Sequence, residues 1–193
     1  MGYSMIREPK DVLADIGAVI RTGGRGPLSA LVVELIASLC MHQQFPEDAF
    51  ERLLSLLSDP VLRAHEGAWG LLKEIDGSWA LLTAPQREKL RPLLVESFDQ
   101  WGSPMGAFVI GEVLGERYCD EDALKALSTL SKGASMPARA LVPHGLESLA
   151  LHTKSAEIRR RAVEMLRELK RDRVAQVRDE ACTALRKLGE ESM

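Results

Sequence analysis

Four histidines, three cysteines, three tryptophans and 28 carboxylates are the side chains with which this 193-residue chain could do chemistry, and their spacing is the first constraint. His42, His65, His144 and His152 stand isolated, and no pair of His or Cys has the interval a metal site needs, so no metal is expected. No Gly-rich phosphate loop, G-x-S-x-G elbow or H-E-x-x-H helix occurs, which removes common routes to phosphoryl transfer, acyl transfer and metal-assisted hydrolysis. A site built from His65 and His144 needs a fold that presents both on one surface. Cys40, Cys119 and Cys182 are odd in number and far apart, which fits neither a disulfide framework nor a cluster and suits a reducing compartment. Cys119 precedes Asp120, Glu121 and Asp122, a negative setting that raises a thiol pKa and leaves it inert. The expectation is a protein that is not an enzyme, with no catalytic residue, no cofactor and no small-molecule substrate signalled.

Charge carries more information than these reactive groups. The formal net charge of -3 is a sum of unlike parts: residues 1–153 hold 14 basic and 20 acidic side chains, residues 154–193 hold 11 and 8. Arg159, Arg160, Arg161, Lys170, Arg171 and Arg173 crowd two helical stretches and a turn, where a nucleic-acid-binding protein would place phosphate contacts. The competing reading is a solvated face with neighbours one turn away, such as Glu157 with Arg160 or Arg161 and Glu164 with Arg167. The solvated face is preferred, because no aromatic residue is interleaved for base stacking and the rest of the chain is acidic. Trp69, Trp79 and Trp101 cluster in the middle third and read first as packing residues, with Trp79 in an irregular stretch and Trp101 in a turn.

With 46% apolar and 27% charged residues the chain has the composition of a globular protein, and its length allows a core that hides roughly 70% of the unfolded surface. The longest apolar run, residues 28–41, is broken by Glu34 and falls short of the roughly 20 residues of a membrane helix. The start Met1-Gly2 has Ile6 where a myristoylation signal wants Ser or Thr. No signal peptide is read, no membrane partner is expected, and a cytoplasmic location follows.

The elements that must position all these groups are helices. Apolar residues recur at i, i+3, i+4 and i+7 along the chain, with no sustained alternation of period two, so the spacing predicts an all-α protein. Breakers cut it into ten helices: Gly23, Gly24, Gly26 and Pro27; Phe45-Pro46; Ser58-Asp59-Pro60, with Asp or Ser as cap; a looser stretch over 76–85; Ser103-Pro104; Cys119-Asp120; Gly133 with Met136-Pro137; residues 153–156; and residues 171–173.

Two stretches share one frame, an apolar residue followed by Arg, a central Ala, and then large apolar residues: Ile158, Arg159, Ala162, Met165, Leu166 and Leu169, and Val177, Arg178, Ala181, Ala184, Leu185 and Leu188. Weaker versions occupy Ala64, Ala68, Leu71, Leu72 and Ile75, and Leu141, Gly145, Ser148 and Leu149. Asp172, Val177 and Arg178 resemble the Asp-Val-Arg signature of the second helix of HEAT repeats and their bilin-lyase-type relatives, and Leu90-Arg91-Pro92-Leu93-Leu94 is similar to the first helix with its proline. The resemblance implies a right-handed α-solenoid of about five helix pairs, at 8–42, 46–75, 86–118, 120–152 and 155–190, in a single domain over 1–193. Second helices would start near residues 27, 60, 104, 137 and 174, with His65, Ala107 and Val142 standing where the signature Arg belongs. It also implies a hydrogen-bond ladder between repeats that uses Asp172 and Arg178.

Stacked helix pairs offer a long groove and need no chemistry. The functional expectation is a non-enzymatic scaffold, adaptor or toxin-neutralising immunity protein that holds a protein partner or peptide on the concave surface of its second helices. The polar and aromatic groove residues would be Arg63, Glu66, Trp69, Glu112, Arg139, His144, Glu147 and Arg178, with Trp101 at the rim. The alternative is a nucleic-acid-binding relative, similar to HEAT-like DNA glycosylases, that uses the basic C-terminal patch. The preponderance of Arg over Lys is compatible with a high-GC bacterium.

Overall fold

Helix starts follow the caps that the sequence supplies. In the computed structural model, which describes residues 7–23, 28–98, 100, 101, 103–133 and 136–190, the Asp59 carboxylate accepts the Val61 N–H at 2.9 Å, Asp120 that of Ala123 at 2.9 Å, and Ser155 that of Ile158 at 3.3 Å. Thr83 and Gln86 close a reciprocal capping box. The resulting helices are α1 (Pro9–Arg21), α2 (Leu28–Leu39), α3 (Glu47–Ser58), α4 (Pro60–Ala64), α5 (Trp69–Gly77), α6 (Ala84–Ser97), α7 (Pro104–Val113), α8 (Glu121–Ser131), α9 (Met136–His152), α10 (Ala156–Leu169) and α11 (Ala175–Lys187). Among the described residues there is no strand, so the chain is all-helical.

Two details depart from the ten helices read from the sequence. The fourth is split: α4 stops after five residues, His65 turns extended (φ -76°, ψ 124°), and its Nδ1 accepts the Gly67 N–H at 3.2 Å before α5 begins. His65 is therefore a turn residue, not a member of a second helix. The other departure follows α7, which passes into one π turn over Leu114–Tyr118 and ends on Cys119 in the left-handed region (φ 50°). The loose stretch over 76–85 contains the end of α5, a 3-10 turn at Trp79–Leu81 and the start of α6.

Helix contacts gather into two compact units, Met1–Ser103 and Pro104–Met193, where the sequence reads as one domain; the boundary falls inside the third expected pair. In the first unit α1 packs on α2, α3 and α4, α3 also packs on α4 and α6, and α2 packs on α5. Its core holds Leu13, Ile16, Leu35, Phe50, Leu53, Leu57, Leu90 and Phe98, all nearly inaccessible. The second unit is organised around α9, which packs on α7, α8, α10 and α11. Glycines set the closest of these crossings: a β-carbon at Gly115 would overlap the carbonyl oxygen of Gly145 and lie 2.8 Å from the amide nitrogen of Leu149, and one at Gly145 would lie 3.0 Å from the carbonyl oxygen of Gly111.

One device recurs in both units. Arg63, Arg139 and Arg178 are each the fourth residue of their helix, and each donates to the carbonyl six residues upstream: Arg63 Nε to Leu57 at 2.7 Å, Arg139 Nη1 to Gly133 at 3.0 Å, and Arg178 Nη1 to Asp172 at 2.9 Å. Two of them also reach an acceptor more than thirty residues on. Arg63 donates to the Gln100 side chain, and Arg139 donates from Nη2 to the Asp172 carboxylate at 3.4 Å, with its Nε in ion-pair range at 3.4 Å but making no hydrogen bond. Arg63 and Arg139, not His65 and Val142, stand where Arg178 does, and the Asp172 carboxylate is taken by Arg139 while Arg178 takes only its main-chain oxygen.

Candidate partner-binding surfaces

The break between α4 and α5 makes a broad concavity. Because the chain swings out at 65–67, α2 is left uncovered along one side, and a cleft of about 920 Å³ opens between them. Leu28, Val32, Val33, Ala64 and Trp69 form its walls, and His65 and Glu66 add the polar groups. Val33 is 63% exposed, although α2 is apolar nearly all round. Glu66 and Trp69 of the expected groove are thus together here. Arg63, committed to Leu57 and Gln100, and Trp101, half-buried with its Nε1–H donating to Ser97 Oγ at 3.3 Å, are outside the lining. Trp79 is half-buried beneath Arg87, whose guanidinium carbon is 5.3 Å from the ring centre and which also donates to the Trp79 carbonyl.

In the second unit α7, α9 and α11 bring Glu112, His144 and Glu147 into one cluster. The His144 ring lies flat on Phe108, with centroids 4.1 Å apart and planes at 14°. Its Nε2 is buried without a hydrogen bond, 4.0 Å from Glu112 Oε1. Burial pushes the imidazole pKa below its ordinary value, against the upward pull of Glu112 and Glu147. Glu147 is almost wholly buried and held by Lys187 at 3.1 Å. Arg139 and Arg178 sit in the first turns of α9 and α11, tied into the contacts described above, and Arg139 is 6% exposed. Among the described residues no group of His, Cys, Asp and Glu could hold a metal ion. The Cys119 thiol is pushed up by burial first and by Asp120 and Glu116 second, so the setting expected from its acidic neighbours is present but is not the main cause.

The basic patch of the sequence divides in two. Arg160 pairs with Glu157 and Glu164 at 2.6 Å, Arg161 with Glu121 at 2.6 Å, Arg167 with Glu190 at 2.9 Å, and Arg159 lies 3.9 Å from Glu190. Glu157 pairs as expected, whereas Glu164 takes Arg160 in place of Arg167. Lys170, Arg171 and Arg173 belong to the turn between α10 and α11 and are exposed.

Sequence reasoning missed Val33, Phe108 and Lys187. The first had a signal, since an apolar residue on the side of α2 opposite its core stripe marks an uncovered face; the other two gain their places only from tertiary packing. No helix among the described residues is long and apolar enough to cross a membrane. Comparison of the chain with models of known families, with curated proteins and with solved structures finds no match.

Proposed function

We propose that the chain is a non-enzymatic binding protein of HEAT-like repeats, working in the cytoplasm as an adaptor or immunity-type protein that holds a protein partner or peptide against its second helices. The repeat reading is supported by the three arginines that bridge their own turn at the same helical position. The binding reading rests on one observation, the open cleft beside α2. Its size and apolar walls suit one or two large side chains of a peptide, and Glu66 and His65 supply polar groups to orient the main chain. Apolar surface left open at this scale is a common mark of a contact site. The nucleic-acid alternative loses weight because Arg160, Arg161 and Arg167 are neutralised within the chain.

A peptide array probed with the full chain tests the proposal. Peptides with clustered large apolar residues should bind, and Val33→Glu or Trp69→Ala should weaken them by about tenfold or more, the cost of losing a buried anchor. Val33 is so exposed that its replacement leaves folding intact, which a thermal melt checks. Absence of any bound peptide, or binding indifferent to both substitutions, overturns the proposal.

A further inference from the structure

We infer that the edge of the second unit formed by the α8–α9 and α10–α11 turns docks a short acidic segment of a partner protein. Arg139 fastens the two turns side by side, donating to the Gly133 carbonyl in the first and gripping Asp172 in the second. Asp172 is the sole acidic residue in residues 132–135 and 170–174. Its carboxylate is already satisfied by Arg139 and by the Val174 N–H at 2.8 Å. Around it stand Lys132, Arg171 and Arg173, all exposed and, among the described residues, without an ion pair. Arg178 is half-buried and donates only to the Asp172 carbonyl, whereas Arg63 and Arg139, at the same helical position, each also hold a side-chain acceptor.

The contrast with Arg159, Arg160, Arg161 and Arg167 makes the edge informative. Those four arginines are met by Glu121, Glu157, Glu164 and Glu190, so this chain neutralises its guanidiniums where it has carboxylates at hand. At the turn edge the carboxylates must come from elsewhere. Guanidinium forks match carboxylates in paired geometry, and three arginines with one lysine suit three or four acidic side chains. The surroundings favour a short acidic peptide over a duplex nucleic acid. Glu168 and Asp179, both exposed, flank the cations on α10 and α11 and would repel a phosphate backbone running beyond the turns. The site shares no residue with the cleft of the first unit, so the two proposals fail independently.

Fluorescence anisotropy of a labelled Glu- and Asp-rich decapeptide with the full chain, at about 50 mM salt where surface attraction is least screened, tests it. The expected result is saturable binding that weakens about tenfold in Arg171→Glu/Arg173→Glu and changes less than about twofold in Arg160→Glu/Arg161→Glu. Thermal melts confirm that both variants fold. No binding of the peptide, equal loss in the two variants, or tighter binding of a labelled duplex DNA through the same residues would each overturn the inference.

Discussion

The two units pack their helices in opposite ways. In the first, α2 meets α5 only after the chain has broken at 65–67, and the gap becomes a cleft walled by Val32, Val33 and Trp69. In the second, α7 and its π turn lie so close to α9 that neither Gly115 nor Gly145 leaves room for a β-carbon at the crossing. The same amphipathic helices therefore give an open face or a sealed one according to two local features, the continuity of the covering helix and the size of the residue at the crossing point. An open face can receive a partner. A sealed one supplies rigidity and shields polar atoms at its margin, here Glu147 and the Nε2 of a His144 side chain that is otherwise 25% exposed.

The largest expected effect tests the sealing itself. Gly115→Ala must push back α9 main-chain atoms that cannot yield by changing rotamer, so a loss of about 3 kcal/mol in urea unfolding is expected, at the upper end for an overpacked site. The matching change at the open face, Gly67→Ala, is crowded by the tip of Leu28 at 3.2 Å, with the His65 ring at ordinary contact distance from 3.5 Å, and should cost below about 1 kcal/mol, since the Leu28 side chain can turn aside. Equal losses at the two glycines would erase the contrast between the units.

The arginine rungs sharpen the comparison further. Arg139→Ala strands the Asp172 carboxylate in a largely buried pair, with side chains 8% and 15% exposed, and should cost about 2 to 3 kcal/mol. Arg63→Ala removes hydrogen bonds to Leu57 and to an exposed Gln100 side chain, and should cost about 1 kcal/mol. The same position in two helices would then differ in energy because burial differs, a distinction that chemical denaturation of the two variants measures directly.

These contrasts explain what the sequence could reveal. Helix starts at Asp59, Asp120 and Ser155 were legible because these residues act on amides within three residues, and such local hydrogen bonds leave a local signature. The short ion pair of Glu157 with Arg160 was legible for the same reason. Arg161 with Glu121 and Arg167 with Glu190 were not, being 40 and 23 residues apart. The contacts of Arg63 and Arg139 were not legible because their acceptors include main-chain carbonyls, which every residue carries and side-chain identities do not mark. The cleft was half legible: Glu66 and Trp69 stood out by type, but whether α2 keeps a neighbour over Val33 depends on a break at His65–Gly67 that the pattern of apolar residues runs straight through. The π turn left no pattern at all, since Leu114 and Gly115 fit an ordinary helix equally well.

The smallest effect concerns what the sealed face traps. His144 is stacked on Phe108 and surrounded by Glu112 and Glu147 with Lys187 and Glu180 farther off, and the net result of this setting is a depressed pKa, burial outweighing the carboxylates. The folded chain therefore resists the proton that the unfolded chain accepts near its ordinary pKa of about 6.5. Stability should be full above that value and should fall as pH drops below it, until the folded ring is protonated as well; one such group contributes at most about 1.4 kcal/mol per pH unit. His144→Phe keeps an aromatic stack on Phe108 and removes the proton site, so the variant should lose less stability than the parent between about pH 7 and pH 5, with carboxylate titration common to both. Parallel unfolding curves for parent and variant across that range would mean that the folded ring takes up its proton as readily as the unfolded one, and that the second unit is no more sealed around the His144 Nε2 than the first is beside α2.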